Sequence, residues 1–313
     1  QGMVWGIFSP LEVSATVNGA HIVFSPKQLI VATGAYERSF PVPGWTLPGV
    51  MTTGAAQTML RSYGVLPGER VLIAGNGPLN FQVAIELVRA GAEIKALVES
   101  SPKPSFADSI SVFQMASSMP HILWQGFRYH QELKKYNIQT TYNRILENIH
   151  STDEGLSAVV VSTNSGNRPA RLTFDIDAVL LGYGFNPANE LLGLIGVRQR
   201  YDKKWGHLIA ERDNNCQTTH DSVFAVGDCC GLRGAKVAEA EGVIAAGAAI
   251  QKCGHKLPFR FRTIIALARL AKALHTRFQT GLWDLFGSPS QQVDLSTPDT
   301  IICRCEEVFR QQV

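Results

Sequence analysis

Residues 71–80 read Val71-Leu-Ile-Ala-Gly75-Asn-Gly77-Pro78-Leu-Asn80, a short apolar run followed by two glycines one residue apart. The apolar run predicts a buried strand, and the segment after it has the pattern of a helix that continues to about Arg89. Gly75 permits a tight turn, and Gly77 lets the backbone approach a pyrophosphate at the helix N-terminus. The stretch therefore predicts the strand–turn–helix start of a dinucleotide-binding domain.

An acidic residue follows at the end of the next predicted strand, Glu93–Val98. Glu99 stands where a carboxylate binds the 2′-hydroxyl of an adenine ribose. No arginine comes directly after it, which argues against a 2′-phosphate. Asn80 replaces the third glycine of the usual pattern, so a doubly wound domain that has lost its nucleotide stays an alternative.

A second carboxylate follows the apolar strand Val223-Phe-Ala-Val226, which ends in Gly227-Asp228. A carboxylate there can accept hydrogen bonds from sugar or ribityl hydroxyls. An alanine-rich helix begins just after, at Gly234-Ala235, and the first N–H groups of a helix are free to bind phosphate. This region predicts a second nucleotide-binding turn.

Two other strand ends, Val31-Ala-Thr33-Gly34 and Leu180-Leu-Gly-Tyr-Gly184, flank the segment that contains the first motif. Either one alone is consistent with an ordinary strand-to-loop turn. Because together they bracket a βαβ unit, we interpret them as the places where the chain leaves one domain and returns to it around an inserted second domain.

The composition excludes several classes of protein. The 313 residues suit two domains, and a formal charge of +3 without a basic block argues against nucleic-acid binding. The longest apolar stretch, Val237–Ile250, contains Glu239 and Glu241 and is too short to cross a bilayer. No positively charged segment followed by an apolar core opens the chain, so no secretion signal is expected. The spacing of the six cysteines suggests no disulfide framework, which favours a reducing cytoplasm.

Two cysteine pairs are candidates for redox or metal chemistry. Cys303 and Cys305 are too few thiolates for an iron–sulfur cluster, which commonly needs four, so two unremarkable cysteines are the plainer interpretation within this chain. Cys229 and Cys230 are adjacent, and adjacent cysteines bridge rarely and with strain. Without a Cys-x-x-Cys, a catalytic dithiol is not expected.

Hydrophobic period and turn residues predict the remaining elements. A final helix, Ile264–Phe286, carries an apolar stripe typical of a core helix, although a subunit contact would also explain it; the stripe is Leu267, Leu270, Leu274 and Phe278. The other predicted elements are a hairpin at Asn18-Gly19, helices at Ala55–Ser62, Ile110–Met119 and Ile122–Lys135, strands at Ile138–Tyr142, Gly155–Ser162, Ala170–Asp177 and Asp177–Gly182, and a hairpin loop at Asn164–Asn167.

Four motifs in this order resemble the pyridine-nucleotide–disulfide oxidoreductase-like flavoproteins: Ala32-Thr-Gly34, Gly75–Asn80, Gly182-Tyr-Gly-Phe-Asn-Pro187 and Val226-Gly-Asp228. The resemblance covers nearly the whole chain. Within this superfamily, the chain is most similar to the group of opine oxidase, hydrogen cyanide synthase and amino-acid dehydrogenase subunits. Cys303-Arg-Cys305-Glu-Glu-Val308 resembles the opening of the bacterioferritin-associated-ferredoxin-like [2Fe–2S] domain that follows in that group.

The resemblance implies an α/β fold of two Rossmann-like, doubly wound, three-layer dinucleotide-binding domains, one inserted in the other, with a C-terminal helical segment. The family's N-terminal Gly-x-Gly-x-x-Gly unit and the second cysteine pair are absent from this sequence, so we expect a fragment that binds FAD poorly and assembles no cluster. The implied parts are 1–48 in the FAD domain, 49–185 as the inserted NAD(P)-type domain, 186–255 back in the FAD domain, 256–300 helical, and 301–313 as the start of a truncated [2Fe–2S] domain.

The implied activity is oxidation of the C–N bond of an amine, opine or amino acid by FAD, with electrons leaving through the cluster or a second flavoprotein subunit. The implied location is the cytoplasm, with membrane association through the complex. FAD would contact Thr33, Gly34, Gly227, Asp228, Gly234 and Ala235. NAD or another adenine nucleotide would contact Gly75, Gly77, Pro78 and Glu99, and Cys303 and Cys305 would be part of a [2Fe–2S] ligand set.

No residue can be identified from the sequence as a general base, so no catalytic residue is assigned. Two alternatives stay open. One is a non-catalytic electron-transfer or scaffold subunit that binds a nucleotide for stability. The other is an NAD(P)H-dependent flavoprotein reductase, which in its thioredoxin-reductase form would need a Cys-x-x-Cys.

Overall fold

A computed structural model describes residues 2–8, 11–162, 170–203, 205–287 and 296–313. The predicted hairpin loop Asn164–Asn167 lies outside these residues. The chain forms two compact units: unit 1 is Gln1–Tyr36 with Phe185–Thr280, and unit 2 is Glu37–Gly184 with Gly281–Val313. The finer division into five parts stays a prediction.

Helices and parallel strands alternate along much of the chain, which confirms the predicted α/β class. The helices are α1 (Thr53–Tyr63), α2 (Pro78–Arg89), α3 (Ser109–Ser118), α4 (Pro120–Lys135), α5 (Glu190–Leu194), α6 (Ala235–Lys252) and α7 (Phe259–Leu285). The strands are β1 (Gly2–Phe8), β2 (Glu12–Val17), β3 (Ala20–Phe24), β4 (Leu29–Val31), β5 (Ala35–Glu37), β6 (Val50–Thr52), β7 (Arg70–Gly75), β8 (Glu93–Glu99), β9 (Thr140–Thr141), β10 (Arg144–Thr152), β11 (Gly155–Ser162), β12 (Arg171–Ile176), β13 (Ala178–Gly182), β14 (Phe185–Pro187), β15 (Gln199–Asp202), β16 (His207–Ala210), β17 (Val223–Ala225), β18 (Ile301–Cys303) and β19 (Val308–Phe309).

Unit 2 is built on a parallel sheet in the order β6-β13-β7-β8-β9. Alternate residues of β7 face opposite sides of this sheet. Val71 and Ile73 pack in the cluster that contains Leu87 of α2 and Leu133 of α4. Leu72 packs on the other side, with residues of the antiparallel sheet β10-β11-β12. The result is three layers, with β7 and β13 covered on both faces as in other parallel sheets.

Unit 1 contains an antiparallel sheet β1-β2-β3 and a parallel pair of strands, β4 and β17. The predicted turn between β2 and β3 is present, and both Asn18 (φ 49°) and Gly19 (φ 79°) have the positive φ of a two-residue hairpin. In β17, Val223 faces the cluster around Val31, whereas Phe224 faces α6.

Helix α7 begins five residues earlier than predicted, and its apolar stripe is only partly buried. Phe278 is 6% exposed, whereas Leu267 and Leu270 are 61% and 57% exposed. The interpretation of the whole stripe as core was therefore wrong for those two leucines. Among the described residues, no helix is long and apolar enough to cross a membrane.

Candidate functional site

The predicted nucleotide-binding residues of unit 2 meet at one edge of its parallel sheet. Gly75 pairs with Gly182 on one side and with Glu99 on the other, so three neighbouring strands end side by side. A Cβ on Gly75 would overlap the carbonyl oxygen of Gly182, which explains why glycine is needed here. The carboxyl edge of a parallel sheet is where ligands bind in open α/β folds.

Asn80 stands in place of a glycine that normally allows the helix and the strand to pack closely. The structure shows that its side chain joins the two elements by hydrogen bonds. Its Nδ2 donates to the carbonyl of Gly182 (3.0 Å), and its Oδ1 accepts from the hydroxyl of Thr53 (3.0 Å). The side chain is 1% exposed. Asn80 therefore attaches α2 to β13 by hydrogen bonds, so the departure from the glycine pattern leaves the turn intact.

Glu99 is buried and serves the turn itself. Its Oε2 accepts the N–H of Gly77 (3.0 Å), its Oε1 accepts the N–H of Ser101 (2.9 Å), and the residue is 1% exposed. Burial raises the pKa of Glu99 to about 7, although these hydrogen bonds favour the charged form. The carboxylate thus holds the second glycine of the turn from inside the unit.

Few N–H groups at this turn are available to an anion. The N–H groups of Asn76 and Asn80 already donate to backbone carbonyls, at 2.9 and 3.3 Å. That of Gly77 donates to Glu99, and Pro78, the first residue of α2, has none. A helix N-terminus binds phosphate through such groups. The N-terminus of α2 therefore offers few donors to a phosphate.

The second predicted site lies in unit 1, where β4 and β17 run parallel. Val31 pairs with Ala225, so Thr33-Gly34 and Gly227-Asp228 follow two adjacent strand ends. Oδ1 of Asp228 accepts the N–H groups of Arg233 (2.8 Å) and Gly234 (2.9 Å). The carboxylate therefore shapes the loop that leads into α6, and among the described residues no hydrogen bond to its second oxygen is found, which leaves that oxygen for a ligand hydroxyl.

A buried ionic cluster, which the sequence pattern did not predict, lies behind this turn. Glu241 of α6 is fully buried; it accepts two hydrogen bonds of 2.7 Å from Arg212 and one of 2.9 Å from the N–H of Gly227. Lys272 is 3.1 Å from the same carboxylate, and Arg233 is 3.9 Å from it. Burial alone would raise the pKa of Glu241, but the hydrogen bonds and charge of Arg212 outweigh it, and the pKa is lowered.

The charges in this cluster do not balance. Three cations surround the carboxylate of Glu241, and when the carboxylate of Asp228 at the turn is counted as well, one positive charge is left at the base of the turn. The sequence contains one signal of this cluster: Glu241 stands among apolar residues that are buried on the same helix, such as Val237, Ile244 and Ala245.

Cys229 and Cys230 are free, buried thiols, with sulfur atoms 3.7 Å apart. A hydrogen bond from Cys230 lowers the pKa of Cys229 to about 6 against the effect of burial. The sulfur atoms of Cys303 and Cys305 are 3.2 Å apart near the surface of unit 2. Within the described part of the chain, no group of three or more His, Cys, Asp or Glu is placed to hold a metal. Two thiols are an incomplete donor set for a [2Fe–2S] cluster.

The model of the pyridine nucleotide-disulphide oxidoreductase family matches residues 9–242. An opine oxidase subunit of Rhizobium meliloti is 30% identical over 302 residues, which are 95% of this chain and 55% of that protein. The hydrogen cyanide synthase subunit HcnB of Pseudomonas aeruginosa is 32% identical over 289 residues, which are 90% of this chain and 61% of that protein. The chain thus spans little more than half the length of these relatives.

Solved structures with the same fold include L-proline dehydrogenase from P. horikoshii, with a TM-score of 0.53, 15% identity and coverage of 85% of this chain and 44% of that one. Another is the bacillithiol disulfide reductase Bdr from Staphylococcus aureus, with a TM-score of 0.54, 16% identity and coverage of 80% of this chain and 70% of that one. At these identities the likeness shows the fold alone.

Proposed function

Because this chain belongs to the pyridine nucleotide-disulphide oxidoreductase family, we propose that it is part of an FAD-dependent subunit that oxidises the C–N bond of an amine, opine or amino acid. The observation that carries this proposal is the 30% identity to the Rhizobium meliloti opine oxidase subunit over 95% of the chain. FAD would supply the chemistry, by accepting a hydride equivalent from the carbon next to nitrogen. The protein would bind and orient the FAD.

The donors of unit 1 fit the pyrophosphate and ribityl parts of FAD. The first N–H groups of α6, at Ala235 and Lys236, have no partner within the helix. Arg233, one of the cations around Glu241, directly precedes the cap residue Gly234, and positive charge there favours a phosphate. We assign the ribityl hydroxyls to Asp228, and we place Thr33 and Gly34 at the neighbouring strand end.

A second nucleotide would use unit 2. We retain NAD or another adenine nucleotide as its ligand, with Gly75, Gly77 and Pro78 as contacts; Glu99, which is 1% exposed, would act through the N–H of Gly77 that it accepts. NAD(P) binding is typical of the family. In a longer protein, Cys303 and Cys305 would contribute half of a [2Fe–2S] ligand set; no step of the proposed reaction in this chain depends on them.

A partner subunit is the third part of the proposal, since the opine oxidase and hydrogen cyanide synthase relatives are both named as subunits. Unit 2 has an aromatic surface on and before α3 and α4, consisting of Phe106 (99% exposed), Phe113 (70%), Trp124 (62%) and Phe127 (50%). No Asp, Glu, Lys or Arg occurs from Ser109 through Phe127. In space, Arg89, Arg128 and Glu132 line the same groove as Trp124. Exposed aromatic residues with charged residues at their border are typical of a protein–protein interface. We propose that the protein works in the cytoplasm and that any association with a membrane is through the complex.

The test uses the protein from the complete reading frame that contains these residues, reconstituted with FAD and mixed without oxygen with a panel of opines, amino acids and amines. We expect one of these classes to bleach the visible flavin band. Bleaching by NADH alone would instead support the reductase alternative. If the protein takes up no FAD, the scaffold alternative is the one that remains. Turnover of an amine by the purified protein without any partner would contradict the scaffold alternative.

A further inference from the structure

The glycine turn of unit 2 is in contact with a distant segment of the same unit. Nδ2 of Asn76, the residue between the two glycines, donates to the carbonyl oxygens of Phe286 (2.9 Å) and Gly287 (2.7 Å). These two residues directly follow α7. Both hydrogens of one amide group are therefore used to hold this segment.

An aromatic contact fixes the segment from the other side of the turn. The ring of Phe286 meets that of Phe81 edge to face, with centroids 5.8 Å apart and planes at 62°. Asn76 precedes α2 and Phe81 lies in its first turn, so the two residues bracket the helix N-terminus. A segment bound to both lies across the position where a pyrophosphate would meet the helix.

The turn nevertheless keeps features of a ligand site. Asn76 is 7% exposed, and its Oδ1 is buried without a hydrogen-bond partner among the described residues. Such a group is costly to leave unpaired. On the side of Gly77 where a Cβ would project, no atom of the described residues lies within 4 Å, apart from its two chain neighbours. An unpaired acceptor and an open glycine face thus adjoin the segment.

We propose that Phe286–Gly287 acts as a built-in competitor for the nucleotide site of unit 2, so that a dinucleotide binds only when this segment moves away from Asn76. Carbonyl oxygens and phosphate oxygens are both acceptors, and the two carbonyls occupy both hydrogens of the Asn76 amide, so a phosphate can accept from it only when a carbonyl is displaced. The inference rests on the proposed nucleotide-binding role of unit 2. It adds that the role is regulated by a segment far away in the sequence.

The test measures binding of NAD⁺ and of ADP-ribose to the 313-residue chain by titration calorimetry. Phe286→Ala removes the contact with Phe81, and we expect it to lower the Kd for both ligands about tenfold, because the binding-competent fraction increases. Phe286→Leu keeps apolar volume without the ring and should give a smaller gain. Phe259→Ala is the matched control, because Phe259 lies on the same helix and is 84% exposed, in unit 1.

Hydrogen exchange gives the second measurement. Saturating NAD⁺ should increase exchange at the amide of Phe286 in the unsubstituted chain, because its hydrogen bond to Leu282 at the end of α7 opens when the segment is displaced. Equal or weaker nucleotide binding by both Phe286 variants, or no binding by any variant, would overturn the proposal; so would unchanged exchange at saturation. FAD uptake, followed by visible absorption in the protein from the complete reading frame, reports on unit 1 separately. A loss of FAD with competition intact would therefore count only against the proposed oxidase.

Discussion

Units 1 and 2 each open a helix with a glycine in almost the same backbone conformation. Gly234 before α6 has φ 83° and ψ 165°, and Gly77 before α2 has φ 98° and ψ 171°. Neither helix has a side-chain cap. The surroundings differ: cations gather behind the turn of unit 1, whereas a buried glutamate and a proline occupy the turn of unit 2. The same backbone shape therefore does not imply the same ligand, since donors and charge decide it.

The two buried glutamates sharpen this contrast, because each accepts the N–H of a turn glycine. Glu241 is surrounded by Arg212, Lys272 and Arg233, and its pKa is lowered. Glu99 has no cation among its described partners, and burial raises its pKa to about 7. One turn is therefore held by an ionised acid, and the other by an acid that takes up a proton near neutral pH.

The largest effect is expected at the ionic cluster of unit 1. Glu241→Gln leaves the guanidinium of Arg212, whose side chain is 8% exposed, without its counter-charge. Breaking a buried pair in this way costs about 3–5 kcal/mol of unfolding free energy. Urea denaturation measures it. Glu239→Gln, on an exposed site of the same helix, is the control and should leave the midpoint unchanged. Equal midpoints for both variants would show that the cluster does not stabilise unit 1.

The raised pKa of Glu99 predicts that the free energy of unfolding falls as the pH rises. Its folded pKa of about 7 exceeds the ordinary 4.5, so the folded state holds the extra proton between these values. The free energy of unfolding then falls by about 3 kcal/mol as pH rises from below 4.5 through 7. Glu99→Gln should flatten this fall, whereas Glu93→Gln, at the exposed start of the same strand, should not. Identical pH profiles for both variants would contradict the assignment.

The similar backbone conformations of Gly77 and Gly234 can be tested by substituting alanine for each glycine. Gly77→Ala and Gly234→Ala meet no close atoms, so the cost of each comes mainly from the positive φ. We expect each to cost about 1–2 kcal/mol of unfolding free energy. Only Gly234→Ala should also weaken FAD binding, because only that turn has the donors for its pyrophosphate. Loss of FAD affinity in Gly77→Ala would remove the distinction between the turns.

The smallest effect is expected for Asp228→Asn. The amide keeps an acceptor for the N–H groups of Arg233 and Gly234. It loses the negative charge, which strengthens both these hydrogen bonds and the hydrogen bond to a ribityl hydroxyl. The Kd for FAD, measured by flavin fluorescence, should rise about tenfold, or about 1.4 kcal/mol. Asp221→Asn, at a side chain that is 99% exposed in the same unit, should leave it unchanged. No difference between the two would place the ribityl contact elsewhere.

Both glycine turns could be predicted from the sequence, because each is a local pattern of strand, small residues and helix. Asn80 could not be interpreted, since its partners Thr53 and Gly182 lie 27 and 102 residues away. Strand β10 was missed as well. A bulge between Leu146 and Asn148 interrupts its alternation, and alternation is the signal that sequence reasoning uses.

By itself, the sequence determined the family, the order of the strand–glycine–helix units and the hairpin at Asn18-Gly19, because each depends on residues that are neighbours along the chain. Only the tertiary structure decided what surrounds each turn. Arg212 reaches Glu241 across 29 residues, and Phe286 reaches Asn76 across 210. Burial, counter-charges and competing acceptors arise from such distant contacts. They control pKa values and the number of free donors, so ligand preference lies in the packing rather than in the motif.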